Sequence, residues 1–204
     1  MLALDTATPV PALALAGEGF EGESRLPSGR HVSEVLLPAL AELLDRAGAT
    51  LSDVSRVAAL SGPGSFTGIR VGLSTAWAFA RSLGVPLETV DSLEAIAETA
   101  RRDEHSGSAP VSACLDAERG EIYAATFDLS GPRARLAGEE RILPAAGAAS
   151  LPGRVARPTA DGAPSAALAA ARAVRRAPGP AAGVPRARYV RASAAEEFHG
   201  VHRS

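Results

Sequence analysis

The chain has 204 residues, 46% of them hydrophobic and 22% charged, with a formal net charge of −2. That length allows one large domain or two small ones around a real core, and the near-neutral balance gives no basic field to recruit nucleic acid or an anionic membrane. All 21 basic residues are arginine, which excludes a Walker A lysine and Schiff-base chemistry.

In chain order, Leu2 to Leu4 is a short apolar strand running into Asp5 and the turn-like Thr6-Ala7-Thr8-Pro9. Val10 to Ala16 and Phe20 to Leu26, parted by Gly17 and Gly19, complete an antiparallel meander. His31 to Ala47 has helical period, with Gly48 as its stop and Pro38 as a kink or a restart. Ser52 is the expected N-cap of a short turn, and Arg56 to Leu60 is a strand. The glycine turn Ser61-Gly62-Pro63-Gly64-Ser65-Phe66 then leads into a helix over Thr67 to Leu83, closed by Gly84. A strand at Leu87 to Val90 and a helix at Ser92 to Arg102 follow. Strand, helix, strand, helix in this order implies an α/β fold with parallel pairing added to the meander.

The polar stretch 101–110 is the expected boundary between an N-terminal half, 1–104, and a smaller C-terminal half, 110–204. After it the opening pattern recurs: VSACLDAERGEIYAATFDLSG is similar to MLALDTATPVPALALAGEG. Each has an apolar strand ending in an acid, Asp5 or Asp116, then a polar turn, a second strand and a glycine turn. From about Pro144 the signal fades into Ala, Pro and Gly. One helix is expected at Ser165 to Arg176, and a last strand or extended tail at 186–193.

Duplicated strand–Asp–turn hairpins with a later glycine turn suit a fold of the actin/hexokinase type, in which Asp5 would stand beside a metal and 61–68 would hold phosphate. The turn after Asp5 has no glycine, however, and a phosphate needs close backbone approach there. Asp5 and Asp116 can equally close their own turns. Gly62, Gly64, Gly68 and Gly72 are open to the same two readings: an anion cradle at a helix N-terminus, or close helix–sheet packing, which the continuation Gly68, Gly72, Ala76, Ala80 favours. Metal binding is not expected. The four histidines, His31, His105, His199 and His202, have no zinc-pair spacing, and Cys114 reads as a small core residue. The single cysteine permits no internal disulfide and fits a reducing compartment. The start has no basic n-region and reaches an acid at Asp5, so no signal peptide is expected. The most apolar window, Val71 to Leu83, is shorter than a membrane span.

LALDTAT (2–8), GPGSFTGIRVG (62–72), VDSL (90–93), DAERGEIY (116–123) and PRARYVR (185–191) together resemble the motifs of the bacterial TsaB (YeaZ-type) family. The resemblance covers about 1–130 well and the remainder poorly. It implies an actin-like ATPase (RNase H-like) duplication of two half-domains, each a mixed sheet with helices, the second eroded. It also implies a cytoplasmic, non-catalytic subunit for making N6-threonylcarbamoyladenosine at position 37 of tRNAs reading ANN codons. Its partners would be a catalytic TsaD-like subunit and a TsaE-like ATPase, with tRNA reached through the complex, a homodimer when alone, no membrane and no cofactor. TsaD itself has a metal signature similar to V-N-H-L-E-G-H; here Ser92 and Ile96 occupy the two histidine positions, and neither serves a transition metal. The alternative is an active actin-fold kinase or nucleotide hydrolase.

Two helices carry the expected partner surface. In the first, Val32, Leu36, Leu40, Leu43 and Ala47 form one apolar stripe, and Leu37, Ala41 and Leu44 a second. In the second helix a bulky row of Ile69, Leu73, Trp77 and Ala80 accompanies the small-residue row. The family pairs through these helices, so Leu37, Leu44, Leu73 and Trp77 are expected at the interface, with Arg70 and Arg81 at its rim.

Overall fold

Three strands buried along their whole length form the centre of the first sheet. They are β1 (Leu2–Asp5), β2 (Ala12–Ala16) and β4 (Val57–Leu60). Strands of this kind need cover on both faces. The computed structural model describes residues 1–27, 30–101, 109–159 and 164–190. In it β3 (Glu21–Arg25) and β5 (Leu87–Val90) complete a sheet of order β3-β2-β1-β4-β5. β1, β2 and β3 pair antiparallel, whereas β4 and β5 run parallel to β1.

Helices α1 (Val32–Ala47) and α2 (Phe66–Leu83) lie side by side on this sheet. Each ends on a glycine in the left-handed conformation, Gly48 or Gly84. α1 runs through Pro38 as one helix, so the proline marks no restart. The short turn after it, Leu51–Asp53, is capped by Thr50 and not by Ser52: the Asp53 carboxylate accepts from the Thr50 N–H at 2.8 Å. α3 (Ser92–Glu98) starts where the period places it but is shorter than the span expected to Arg102. Asp91 caps it by accepting from Leu93 N and Glu94 N.

The second sheet repeats the first. β6 (Val111–Asp116) and β7 (Glu121–Asp128) form its opening hairpin. β7 also pairs with β8 (Arg135–Leu136) and β9 (Arg141–Pro144), and β10 (Arg154–Ala156) runs parallel to β6. The order β10-β6-β7-β8 therefore matches β4-β1-β2-β3. A 3-10 turn, Ala145–Ser150, stands where α1 stands in the first half. This is an α/β duplication of the actin-like kind, with the second copy cut down: among the described residues no strand follows β10 as β5 follows β4. α4 (Ala166–Arg176), capped by Ser165, packs on α3 and on β1, β2 and β4. Its alanines thus cover the first sheet rather than the second. Among the described residues no helix is long and apolar enough to cross a membrane.

Candidate functional site

Asp5 ends β1 at the centre of the first sheet and is wholly buried. One carboxylate oxygen accepts from Ala7 N at 2.9 Å and Thr8 N at 3.0 Å, the other from the Thr8 hydroxyl at 2.6 Å. The acid thus closes its own turn. Burial pushes its pKa up to about 6, and the three hydrogen bonds oppose that rise. Asp116, its counterpart at the end of β6, accepts from Glu118 N at 2.8 Å but is exposed. Both acids hold hairpin turns in the same way, one inside the protein and one at its surface.

The glycine turn lies directly on the turn that Asp5 holds. Ser65 N donates to Ala7 O at 2.8 Å, and the Thr6 hydroxyl donates to Gly68 O at 2.6 Å. The Ser65 hydroxyl caps α2 by accepting from Gly68 N at 3.2 Å. A Cβ added at Gly64 would overlap Ala7 O; at Gly68 it would overlap Thr6 O, and at Gly72 the Thr6 hydroxyl. Gly62 is pressed in the same way against Arg188 O, and Gly62 and Gly64 both have positive φ. A phosphate between loop and turn would have to displace the Ser65–Ala7 main-chain bond. The residues present therefore fit backbone packing there, and they do not fit a phosphate.

Ser92 and Ile96 are both fully buried in α3, and Ile96 packs within the core. Among the described residues no group of three or more His, Cys, Asp or Glu could hold a metal ion. Of the four histidines only His31 is described, at the exposed start of α1. His105, His199 and His202 lie outside the described residues. Cys114 is buried beside Ile122, Ala124 and Ala148, and burial pushes its thiol pKa up.

The residues expected at a partner face separate into two groups. Ile69, Leu73, Ala76 and Ala80, at i, i+4, i+7 and i+11, form the buried row of α2. Arg70, Ser74, Trp77 and Arg81 form the next row around the helix and are exposed. Trp77 is 40% exposed and Leu37, on neighbouring α1, 57%. Leu44 and Leu73 are corrections: at 9% and 5% exposure they fill the chain's own core. At 100° per residue Trp77 is turned about 80° from Ile69, enough to leave the buried row.

The last strand or extended tail expected at 186–193 is an extended segment as far as residue 190, and what the sequence did not show is where it docks. Ala182 N donates to Leu87 O at 2.7 Å and Arg188 N to Ser61 O at 2.6 Å, so 182–188 runs along β5 and the glycine turn. Tyr189 then packs on Phe66, ring centres 4.7 Å apart, and its hydroxyl accepts from Arg70 Nε at 3.1 Å. The Arg70 guanidinium lies 3.9 Å from the Phe66 ring centre. Arg70 therefore ties the C-terminal segment to α2. The sequence signal for this contact was only the PRARYVR motif (185–191), of which 191 lies outside the described residues.

Comparison with known proteins places this geometry. The family described as "TsaD: tRNA N6-adenosine threonylcarbamoyltransferase" matches residues 27–172, which sets the chain in the class that carries this duplicated fold. A crystal structure from Pseudomonas aeruginosa, described as an uncharacterized protein with similarity to peptidase YEAZ, superposes with a TM-score of 0.75 at 30% identity, over 93% of this chain and 98% of that one. The Escherichia coli "tRNA threonylcarbamoyladenosine biosynthesis protein TsaB" is 34% identical over 127 residues, 62% of this chain and 54% of that protein. The Bacillus subtilis protein of the same name is 31% identical over 128 residues, with the same coverage. The chain belongs to the TsaB (YeaZ) family. It spans about half the length of the curated relatives it matches.

Proposed function

We propose that this chain is a non-catalytic subunit of the assembly that forms N6-threonylcarbamoyladenosine at position 37 of tRNAs reading ANN codons. It pairs with a TsaD-like catalytic subunit and activates it, with a TsaE-like ATPase as a further partner. The observation that carries this reading is the exposed row on α2 with Leu37 beside it on α1. An exposed tryptophan and leucine on adjacent helices, edged by Arg70 and Arg81, have the composition of an interface core and rim. The relatives' names supply the pathway. The packed glycine turn, and Ser92 and Ile96 at the histidine positions, support a role without chemistry of its own. The division into halves 1–104 and 110–204 belongs to the same reading, supported by the passage from one sheet to the other.

Reconstitution tests it. The TsaD-like subunit and the TsaE-like ATPase are supplied with threonylcarbamoyl-adenylate and tRNA, with and without this chain. Transfer should require the chain, and the chain alone should neither transfer nor hydrolyse magnesium–ATP. ATP hydrolysis by the isolated chain that Asp5→Ala abolishes would contradict the reading and favour a kinase or hydrolase.

A further inference from the structure

The first turn of α2 and the C-terminal segment meet at Arg70. Its guanidinium lies 3.9 Å from the centre of the Phe66 ring, and its Nε donates to the Tyr189 hydroxyl at 3.1 Å. The Tyr189 ring packs in turn on Phe66. Tyr189 is itself placed from the other side, because its neighbour Arg188 donates its N–H to Ser61 O and pairs with Asp91 and Glu140. Two aromatic residues from separate stretches of the chain thus hold one exposed arginine in a fixed position.

Fixing a long surface side chain costs rotamer entropy. The free chain already bears that cost at Arg70, and it does so without using the terminal fork. Among the described residues neither terminal nitrogen of Arg70 has a hydrogen-bond or ion-pair partner. Four N–H donors therefore remain on a held and exposed guanidinium. Arg70 and Trp77 are seven residues apart, about 20° short of two full turns, so they stand on one side of α2 about 10 Å apart along its axis. Over Phe66–Leu83 the helix carries Arg70 and Arg81 and no acid. The charge that complements this face is negative, and a planar fork of fixed orientation matches a carboxylate, which accepts two parallel N–H bonds.

We propose that Arg70 is a preset anchor of the α1–α2 face, that its two terminal nitrogens receive a carboxylate of the partner subunit, and that Tyr189 is the positioning residue that holds it ready. The inference rests on the reading of that face as the seat of a TsaD-like subunit. Binding of the full chain to the TsaD-like protein of the same organism, measured by titration calorimetry over a range of salt, tests it. Circular dichroism of each variant controls for folding, and both side chains are exposed, so each variant should keep the wild-type spectrum. Arg70→Ala should weaken binding at least about thirtyfold and flatten the dependence of affinity on salt. Arg70→Lys keeps the charge without the fork and should not restore wild-type binding. Tyr189→Phe keeps the ring on Phe66 and removes the acceptor for Arg70 Nε. It should weaken binding about fivefold, and it should have no effect when Arg70 is already alanine. Wild type that forms no complex overturns the reading of the face and this inference with it. Wild-type binding that Arg70→Ala leaves intact overturns the inference alone, as does a salt dependence that Arg70→Ala leaves unchanged. A Tyr189→Phe effect that persists in full without Arg70 overturns the positioning role.

Discussion

Asp5 sits in a fully buried position, and its own turn supplies its hydrogen bonds. Its pKa rises from the ordinary 3.8 to about 6, chiefly through burial. The folded state therefore holds a proton that the unfolded chain releases between those values, so this group's contribution to stability falls as pH rises through that window. At about 1.4 kcal/mol for each pH unit, the loss is roughly 3 kcal/mol by pH 7. Asn at this position keeps an acceptor for Ala7 N and Thr8 N and carries no charge. Urea midpoints of Asp5→Asn should gain on wild type between pH 4 and pH 7; parallel curves would show that the acid is not desolvated. Gly72 is set by the Thr6 hydroxyl that it faces, which itself donates to Gly68 O. Gly72→Val should overpack this contact at a cost of about 1–3 kcal/mol. That corresponds to about 2–4 °C of melting temperature per kcal/mol at this length, and an unchanged melting point would refute the contact.

Among the elements, those with a clean period were legible and those held by non-local bonds were not. α1 and α2 show their apolar rows and glycine stops in the sequence, and the β1–β2 and β6–β7 hairpins show as a repeat. β8 and β10 have two and three residues, too few for an alternation to register, and β9, Arg141–Pro144, is exposed at both ends and lacks the apolar run that marks β1 and β4. The segment 182–188 has no apolar pattern; it is placed by main-chain bonds to Leu87 and Ser61 and by the Arg188 ion pairs. The junction of β5 and α3 with the β7–β8 loop is also invisible in sequence, since it rests on Arg133 meeting Glu88 and Glu94 from about forty residues away. Burial alone would lower the Arg133 pKa, but those two carboxylates outweigh it and raise it, so the guanidinium stays charged. Among the described residues, Arg133→Met leaves Glu88, 2% exposed, with Arg56 at 3.6 Å and Gly179 N at 3.0 Å. It should cost about 3 kcal/mol in denaturant unfolding, whereas an unaltered midpoint would show that the ion pairs do not join these elements.

For the whole molecule, the duplicated fold could be read from the repeat, but which apolar side chains face outward could not. Two adjacent stripes on α1 and two on α2 are equivalent in a helical projection; only the packing of α1 against β2 and β3, and of α2 against β4, separates them. Leu44 and Leu73 went to the core, while Leu37 and Trp77 stayed outside. The erosion of the second half lies on the same scale: α4, which follows β10 as α2 follows β4, covers the first sheet, and the chain then returns along β5. The central claim is that the outward face of α1 and α2 seats a TsaD-like subunit. It is tested most directly by sedimentation of wild-type chain and Trp77→Glu with the TsaD-like protein of the same organism, with circular dichroism of each chain alone. Trp77 is 40% exposed, so the variant should fold with an unchanged spectrum and melting temperature, and it should sediment free while wild type sediments as the complex. A folded variant that still binds as wild type does would contradict the account.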